Sequence, residues 1–199
     1  MENFTVSWRF SCIAALAMLL AACADNGAQL QSSDQQAAPA PVAQADNQML
    51  VLKLKTGDVN IQLYPNLAPK HVARVKQLVK DGFYNGLTFH RVIPKFMAQS
   101  GDPTGTGSGG SKYGDLPAEF TGYVYKTGTV GAARTSNPNS ANSQFFICFD
   151  DSGCRGLTGQ YTVWGQVVKG MEHVAKIAPG EPPASPDRIL DAKLVPAQS

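Results

Sequence analysis

From Met49 onward, apolar and polar positions alternate along the chain. Leu50, Leu52 and Leu54 fall on one side of an extended segment, and Val51, Lys53 and Lys55 on the other. Thr56-Gly57-Asp58 is a turn signal, after which Val59, Ile61 and Leu63 alternate again. Period-two patterning on both sides of a turn predicts a β-hairpin with one buried face. The period then changes. In Leu67-Ala68-Pro69 and the residues up to Tyr84, Val72, Val75, Leu78 and Val79 form an apolar stripe. Pro69 suits a first helical turn and Gly82 a stop, so a helix is predicted here. A second short helix is predicted from Met171 to Ala178, where Met171, Val174, Ala175 and Ile177 share a face. Short apolar runs punctuated by Gly and Pro account for the rest: Thr88 to Ile93, Phe96 to Gln99, Thr129 to Ala133, Gln144 to Phe149, Tyr161 to Val168 and Ile189 to Val195. Some eight short strands and two helices point to a small barrel or sandwich with helical caps.

Ahead of this body the pattern is different. Phe10 to Ala22 is apolar or small throughout and follows Arg9. Thirteen residues fall short of the ~20 that a spanning helix needs and suit the apolar core of a secretion signal. The run ends Leu20-Ala21-Ala22-Cys23, which resembles the lipobox of bacterial lipoproteins. The resemblance implies cleavage after residue 22 and acylation of Cys23. It also implies an extracytoplasmic, periplasmic location with a lipid anchor in a membrane. Residues 24–48 hold no aromatic residue and are dominated by Gln, Ala, Ser, Asp and Pro. Such a composition cannot offset its ordering entropy, and a flexible tether is expected. The expected organisation is therefore a signal over 1–22, an acylated tether over 23–48, a body over 49–195 and a tail over 196–199.

Charge and cysteine usage narrow the function classes. The 199 residues carry a net charge of +2, with 43% hydrophobic and 16% charged residues. From Met49 the balance is 16 basic to 11 acidic side chains, without a basic run, so a nucleic-acid surface is not expected. The body reads as monomeric. Cys148 and Cys154 are the two thiols left in it, and outside the cytoplasm a disulfide between them is permitted, the alternative being two reduced cysteines. With no CxxC and no His/Cys cluster, neither a metal nor a redox centre is expected.

Three blocks carry the chemistry. They are Phe89-His90-Arg91-Val92-Ile93-Pro94-Lys95-Phe96-Met97-Ala98-Gln99-Ser100-Gly101-Asp102, then Ser143-Gln144-Phe145-Phe146-Ile147, then Tyr161 to Met171. In order and spacing they resemble the signature blocks of cyclophilins, the peptidyl-prolyl cis/trans isomerases, and the likeness is strongest to compact bacterial members. The resemblance covers roughly Met49 to Val195. It implies a mainly β fold, a closed eight-stranded antiparallel barrel capped by two α-helices, with the site on its outer face. It implies that X-Pro bonds of polypeptide clients are the substrate and that no cofactor is used.

What such a reaction needs can be stated independently. Rotation about a peptide bond meets a barrier of ~18–20 kcal/mol, because the nitrogen lone pair is delocalised into the carbonyl. A catalyst needs an apolar slot for the proline ring, a donor aimed at the imide nitrogen and groups that hold the flanking peptide. Each 1.36 kcal/mol taken from the barrier is about tenfold in rate. The resemblance assigns the donor to Arg91, whose guanidinium is always charged and rigidly forked. It assigns the proline pocket to Phe96, Met97, Phe146 and Leu157, with Tyr161 at a position where many eukaryotic members have histidine. Gln99 and Gln144 match positions that hold Arg91 and the substrate backbone. Ala133 and Arg134 match positions whose main-chain groups bind the peptide. Phe145 and Phe146 are adjacent, so in a strand they face opposite ways, one toward the core and one toward the site.

The chain departs from the family pattern in a few places. Gly156 stands where a tryptophan involved in cyclosporin binding is often found, so weak inhibition is expected. Lys95 and Ser100 replace glycines, a substitution that costs stability wherever positive φ is required. His90 reads as structural, and His71 and His173 as surface residues on helices. A non-catalytic proline-peptide-binding module is the alternative of a different class. A serine hydrolase built on Ser143, His90 and Asp102 lacks a Gly-x-Ser-x-Gly elbow and an oxyanion hole.

Overall fold

A computed structural model describes residues 41–197. The signal, Cys23 and most of the tether lie outside the described residues. The elements are β1 (Gln48–Leu54), β2 (Gly57–Leu63), α1 (Pro69–Lys80), β3 (Arg91–Ile93), β4 (Met97–Ser100), β5 (Thr129–Ala132), β6 (Phe145–Cys148), α2 (Asp151–Cys154), β7 (Val163–Lys169), α3 (Met171–Val174) and β8 (Asp191–Pro196). A 3-10 turn, Arg155–Leu157, follows α2.

All eight strands belong to one antiparallel sheet of order β3-β4-β6-β5-β7-β2-β1-β8. The sheet curls but does not close, which corrects the expectation of a closed barrel: β3 and β8 are its two edges and do not pair with each other. β3 has only three residues, and its outer edge is already occupied. Val92 exchanges both backbone hydrogen bonds with Gly180, at 2.8 and 2.9 Å. Just before the two edge strands, Phe89 N–H donates to Asp187 O and Ile189 N–H to Leu87 O, so the gap is spanned by isolated pairs rather than a ladder.

The second predicted helix is shorter than the reading of Met171 to Ala178. After Val174 the chain tightens into i→i+3 bonds, and the Ala178 N–H is taken by the Asp187 carboxylate at 2.8 Å. Pro179 follows, which disfavours helical geometry at Ala178. Residues 151–157 form α2 and the 3-10 turn. Asp150 initiates α2 by accepting from the backbone N–H groups of Ser152 and Gly153. Residues 42–47, read as the end of the tether, are held on the body. Asp46 N–H donates to Leu63 O, its carboxylate pairs with Lys76 at 2.7 Å, and Asn66 bonds the backbone of Val42 and Gln44.

Apolar side chains fill both faces of the curled sheet. The inner face packs Leu50, Leu52, Ile61, Leu63, Phe89, Ala98, Phe145, Ile147 and Trp164 against α1 residues Val72, Val75, Leu78 and Val79. A smaller cluster on the outer face holds Met97, Phe146, Cys148, Cys154, Val163, Leu67 and Tyr125. Alternation sorts them: Ala98, Phe145 and Ile147 go in, whereas Met97, Phe146 and Cys148 go out. Both sets are buried, so Phe145–Cys148 is an uninterrupted apolar run. Cys148 and Cys154 are joined by a disulfide with Cα atoms 6.1 Å apart, which ties α2 to the end of β6.

Candidate active site

The strand register assembles the site. Arg91 pairs with Gln99, Gln99 with Phe146, Phe146 with Gly131 and Gly131 with Val163, a row crossing five strands on the outer face. The next row on that face is Ile93, Met97 and Cys148. Side chains opposite one another in a row are neighbours, so Arg91 and Gln99 stand at one end and an aromatic floor in the middle. Gly131 supplies the room for that floor. A Cβ there would run into the Tyr125 hydroxyl and the Phe146 ring. Tyr125 and Phe146 stack with ring centroids 5.8 Å apart and 20° between planes, and Tyr161 meets Phe146 edge-on, also at 5.8 Å. Burial raises the Tyr125 hydroxyl well above its usual pKa.

A cleft of about 110 Å³ opens over these rings. Arg91, Phe96, Met97, Gln99, Ala133, Arg134, Phe146, Leu157 and Tyr161 line it, nine of the ten residues singled out in the sequence. The tenth, Gln144, accepts from Gln99 Nε2 at 2.8 Å and borders an adjoining hollow of about 500 Å³ that Gln99, Ala133 and Arg134 also line. Gln144 is fixed in turn, because its Nε2 donates to Gly107 O and Gly109 O. Those carbonyls belong to a loop wound around Asp102. Burial pushes the Asp102 carboxyl up, but hydrogen bonds from Thr104 and from the backbone of Gly109 and Gly107 outweigh it and hold the pKa at about 2.

Two arginines frame the cleft differently. Arg134 is stacked 4.4 Å from the Tyr161 ring centroid and 5.9 Å from that of Phe120. Its donors go to Gln160 O and Thr135 O. Arg91 is more open. Its Nε donates to Glu181 Oε2 at 2.8 Å, and among the described residues neither Nη has a hydrogen-bond partner. Gln99 does not bond to Arg91, so the side chain that holds the guanidinium is Glu181, ninety positions away, which the sequence reading missed. Tyr125 and Phe120 were also missed. No local signal marks either, since both depend on how the long connection from β4 to β5 is laid down.

Other candidates fall away from the cleft. Ser143 is buried with its hydroxyl donating to Gly101 O, and Asp102 is engaged by its own loop, so no hydrolase arrangement exists there. Burial lowers the pKa of His90 despite Asp102 nearby, which favours a neutral ring. His71 is corrected from surface to core. It is 3% exposed and its Nδ1 is 2.7 Å from Glu119. Among the described residues no group of His, Cys, Asp and Glu is placed to hold a metal ion.

A curled sheet with a cationic rim over an aromatic floor on its outer face forms a cleft of the class that can seat an apolar group beside hydrogen-bond donors. Comparisons with known proteins agree with that class. A model of the "Cyclophilin type peptidyl-prolyl cis-trans isomerase/CLD" family matches residues 49–194. A "Probable peptidyl-prolyl cis-trans isomerase" of Brucella suis is 53% identical over 161 residues, covering 73% of this chain and 81% of the relative. A cyclophilin from Hirschia baltica has a similar structure, with a TM-score of 0.66 at 28% identity, over 76% of this chain and 74% of that one. A cyclophilin-type isomerase of Cryptosporidium parvum, crystallised in the presence of the dipeptide Ala-Pro, gives a TM-score of 0.67 at 28% identity, over 76% and 99%. This chain belongs to the cyclophilin-type peptidyl-prolyl cis-trans isomerases, and it is an enzyme of that class.

Proposed function

We propose that the protein accelerates rotation about X-Pro bonds in polypeptide clients outside the cytoplasm, with no covalent step. The proline ring enters the cleft over Phe146, walled by Phe96, Met97, Leu157 and Tyr161. The Nη groups of Arg91 donate toward the imide nitrogen, drawing its lone pair out of conjugation and lowering the double-bond character of the C–N bond. Gln99 and Gln144, already bonded to each other, and the main chain at Ala133 and Arg134 hold the flanking peptide. No proton needs to move and no cofactor enters the scheme. The observation that carries this reading is that one cleft gathers a cation with free donors and an apolar floor in a single cross-strand row.

The test is protease-coupled isomerisation of a short Ala-Pro-Phe-type peptide by the full chain and by Arg91→Ala. Losing one charged donor is expected to lower kcat/KM by about 10²-fold or more, with the unfolding midpoint unchanged. An Arg91→Ala protein as fast as the parent would refute the role of Arg91.

We further propose a monomeric lipoprotein held at a membrane through Cys23, acting on secreted or membrane proteins as they fold. The support is the apolar run ending in Leu20-Ala21-Ala22-Cys23 and the Gln/Ala/Pro-rich segment after it. Replacing Cys23 by Ser should move the protein from the membrane fraction to the soluble one.

A further inference from the structure

We infer that Glu181 is a positioning residue for this isomerase, holding the Arg91 guanidinium by its Nε edge so that both Nη groups face the cleft. This rests on the reading of Arg91 given above. The backbone places Glu181 for the task. Gly180 and Val92 exchange two hydrogen bonds across the outer edge of β3, so the residues next to them, Glu181 and Arg91, are brought side by side. The Glu181 carboxylate accepts from Nε at 2.8 Å, with the two side chains 52% and 40% exposed.

The chemistry explains why this edge matters. An arginine side chain has several rotatable bonds and loses substantial rotamer entropy when fixed, whereas its guanidinium is one rigid plane. Anchoring Nε therefore sets the direction of both Nη groups at once. Among the described residues, Glu181 is the only side chain that does so, since Gln99 is committed to Gln144. Arginine stays charged beside a carboxylate, so the donor keeps its strength while its direction is fixed. The arrangement also places the anchor at the edge of the sheet, where the sheet fails to close.

The test uses the full chain and the variants Glu181→Ala, Glu181→Gln and Arg91→Ala in the coupled peptide assay at low and high salt. An exposed ion pair of this kind corresponds to about a two- to fivefold change in rate. Glu181→Ala is expected to lose about that much kcat/KM at low salt, and Glu181→Gln, whose amide oxygen can still accept from Nε, to recover most of it. Added salt should bring the parent down no further than Glu181→Gln and leave both variants unmoved, because only the parent has an exposed charge pair to screen. In nitrogen-15 spectra the Arg91 Nε–H should exchange slowly in the parent and in Glu181→Gln, and fast in Glu181→Ala. That signal reports the pair itself, and a loss of kcat/KM with an unchanged urea midpoint separates positioning of Arg91 from a tether on the loop. Glu181→Ala equal to the parent while Arg91→Ala is inactive overturns the inference and leaves the role of Arg91 intact. Glu181→Gln as slow as Glu181→Ala, or an unchanged Arg91 Nε–H signal, also overturns it. Full activity in Arg91→Ala overturns the reading beneath it.

Discussion

Lys95 adopts a φ of +64°, the only residue other than glycine to do so among the described residues. The left-handed region costs a residue with a Cβ about 1–2 kcal/mol, and glycine escapes that cost at the expense of a more flexible unfolded chain. Lys95→Gly should therefore raise stability by roughly 0.5–1 kcal/mol, read from urea denaturation, against the usual sign for a glycine substitution. Ser100, the other departure at a family glycine, lies in regular strand with its hydroxyl donated to Thr88 O, and no such gain is expected there. Gly131 runs the opposite way. Gly131→Ala would drive a methyl into Phe146 and the Tyr125 hydroxyl, and overpacking of this kind costs about 1–3 kcal/mol. The same variant should show reduced kcat/KM in the coupled assay, because the floor of the cleft must shift. At this scale the sequence was informative wherever strand alternation applied. Phe145 and Phe146 go to opposite faces because neighbours in a strand must. His71 was misread because its partner, Glu119, lies 48 positions away, and helical periodicity carries no information about what will be laid over a helix.

That partner decides how α1 begins. Ala68 at its N-cap offers no side-chain acceptor, and the first turn contains no acidic residue. Glu119 supplies both from another part of the chain, with Oε1 accepting from Lys70 N–H and Oε2 from His71 N–H and the His71 ring. A carboxylate on the free N–H groups and positive end of a helix contributes about 1 kcal/mol. Glu119→Ala should lower stability by about that amount in chemical denaturation. It should also disturb Phe120 and hence the stack on Arg134, visible as a rise in KM. The elements themselves were legible to different degrees. The β1–β2 hairpin and α1 follow directly from periodicities of two and 3.6. α2 did not, because a four-residue helix has too few positions for a period and is set by the Asp150 cap. Barrel closure was beyond reach for another reason: it depends on whether two edges pair, and no pattern within one strand records its neighbour.

Across the whole molecule, the long connection between β4 and β5 links the core to the cleft through Asp102. Its carboxyl has a folded pKa of about 2, below the ~3.9 of an unfolded chain. The folded state thus prefers the ionised form. The resulting stabilisation, on the order of 2 kcal/mol, is fully present above about pH 4 and is lost as pH falls toward 2. The stability gap between the parent and Asp102→Asn should accordingly narrow over that interval, as measured by urea denaturation at stepped pH. Activity of the variant at neutral pH should drop as well, since Gly107 and Gly109 position Gln144.

The register of β1 against β8 sets Gln48 opposite Pro196, with Ala197 N–H donating to Asn47 O. The body thus returns to the point from which it starts, and its strands form a nearly cyclic path broken at one place only. A short link between those neighbouring ends, with the chain reopened at an exposed turn such as Asn137–Asn139, would give a circularly permuted protein with the same sheet order. Chain connectivity and catalytic architecture are, in this fold, separable properties.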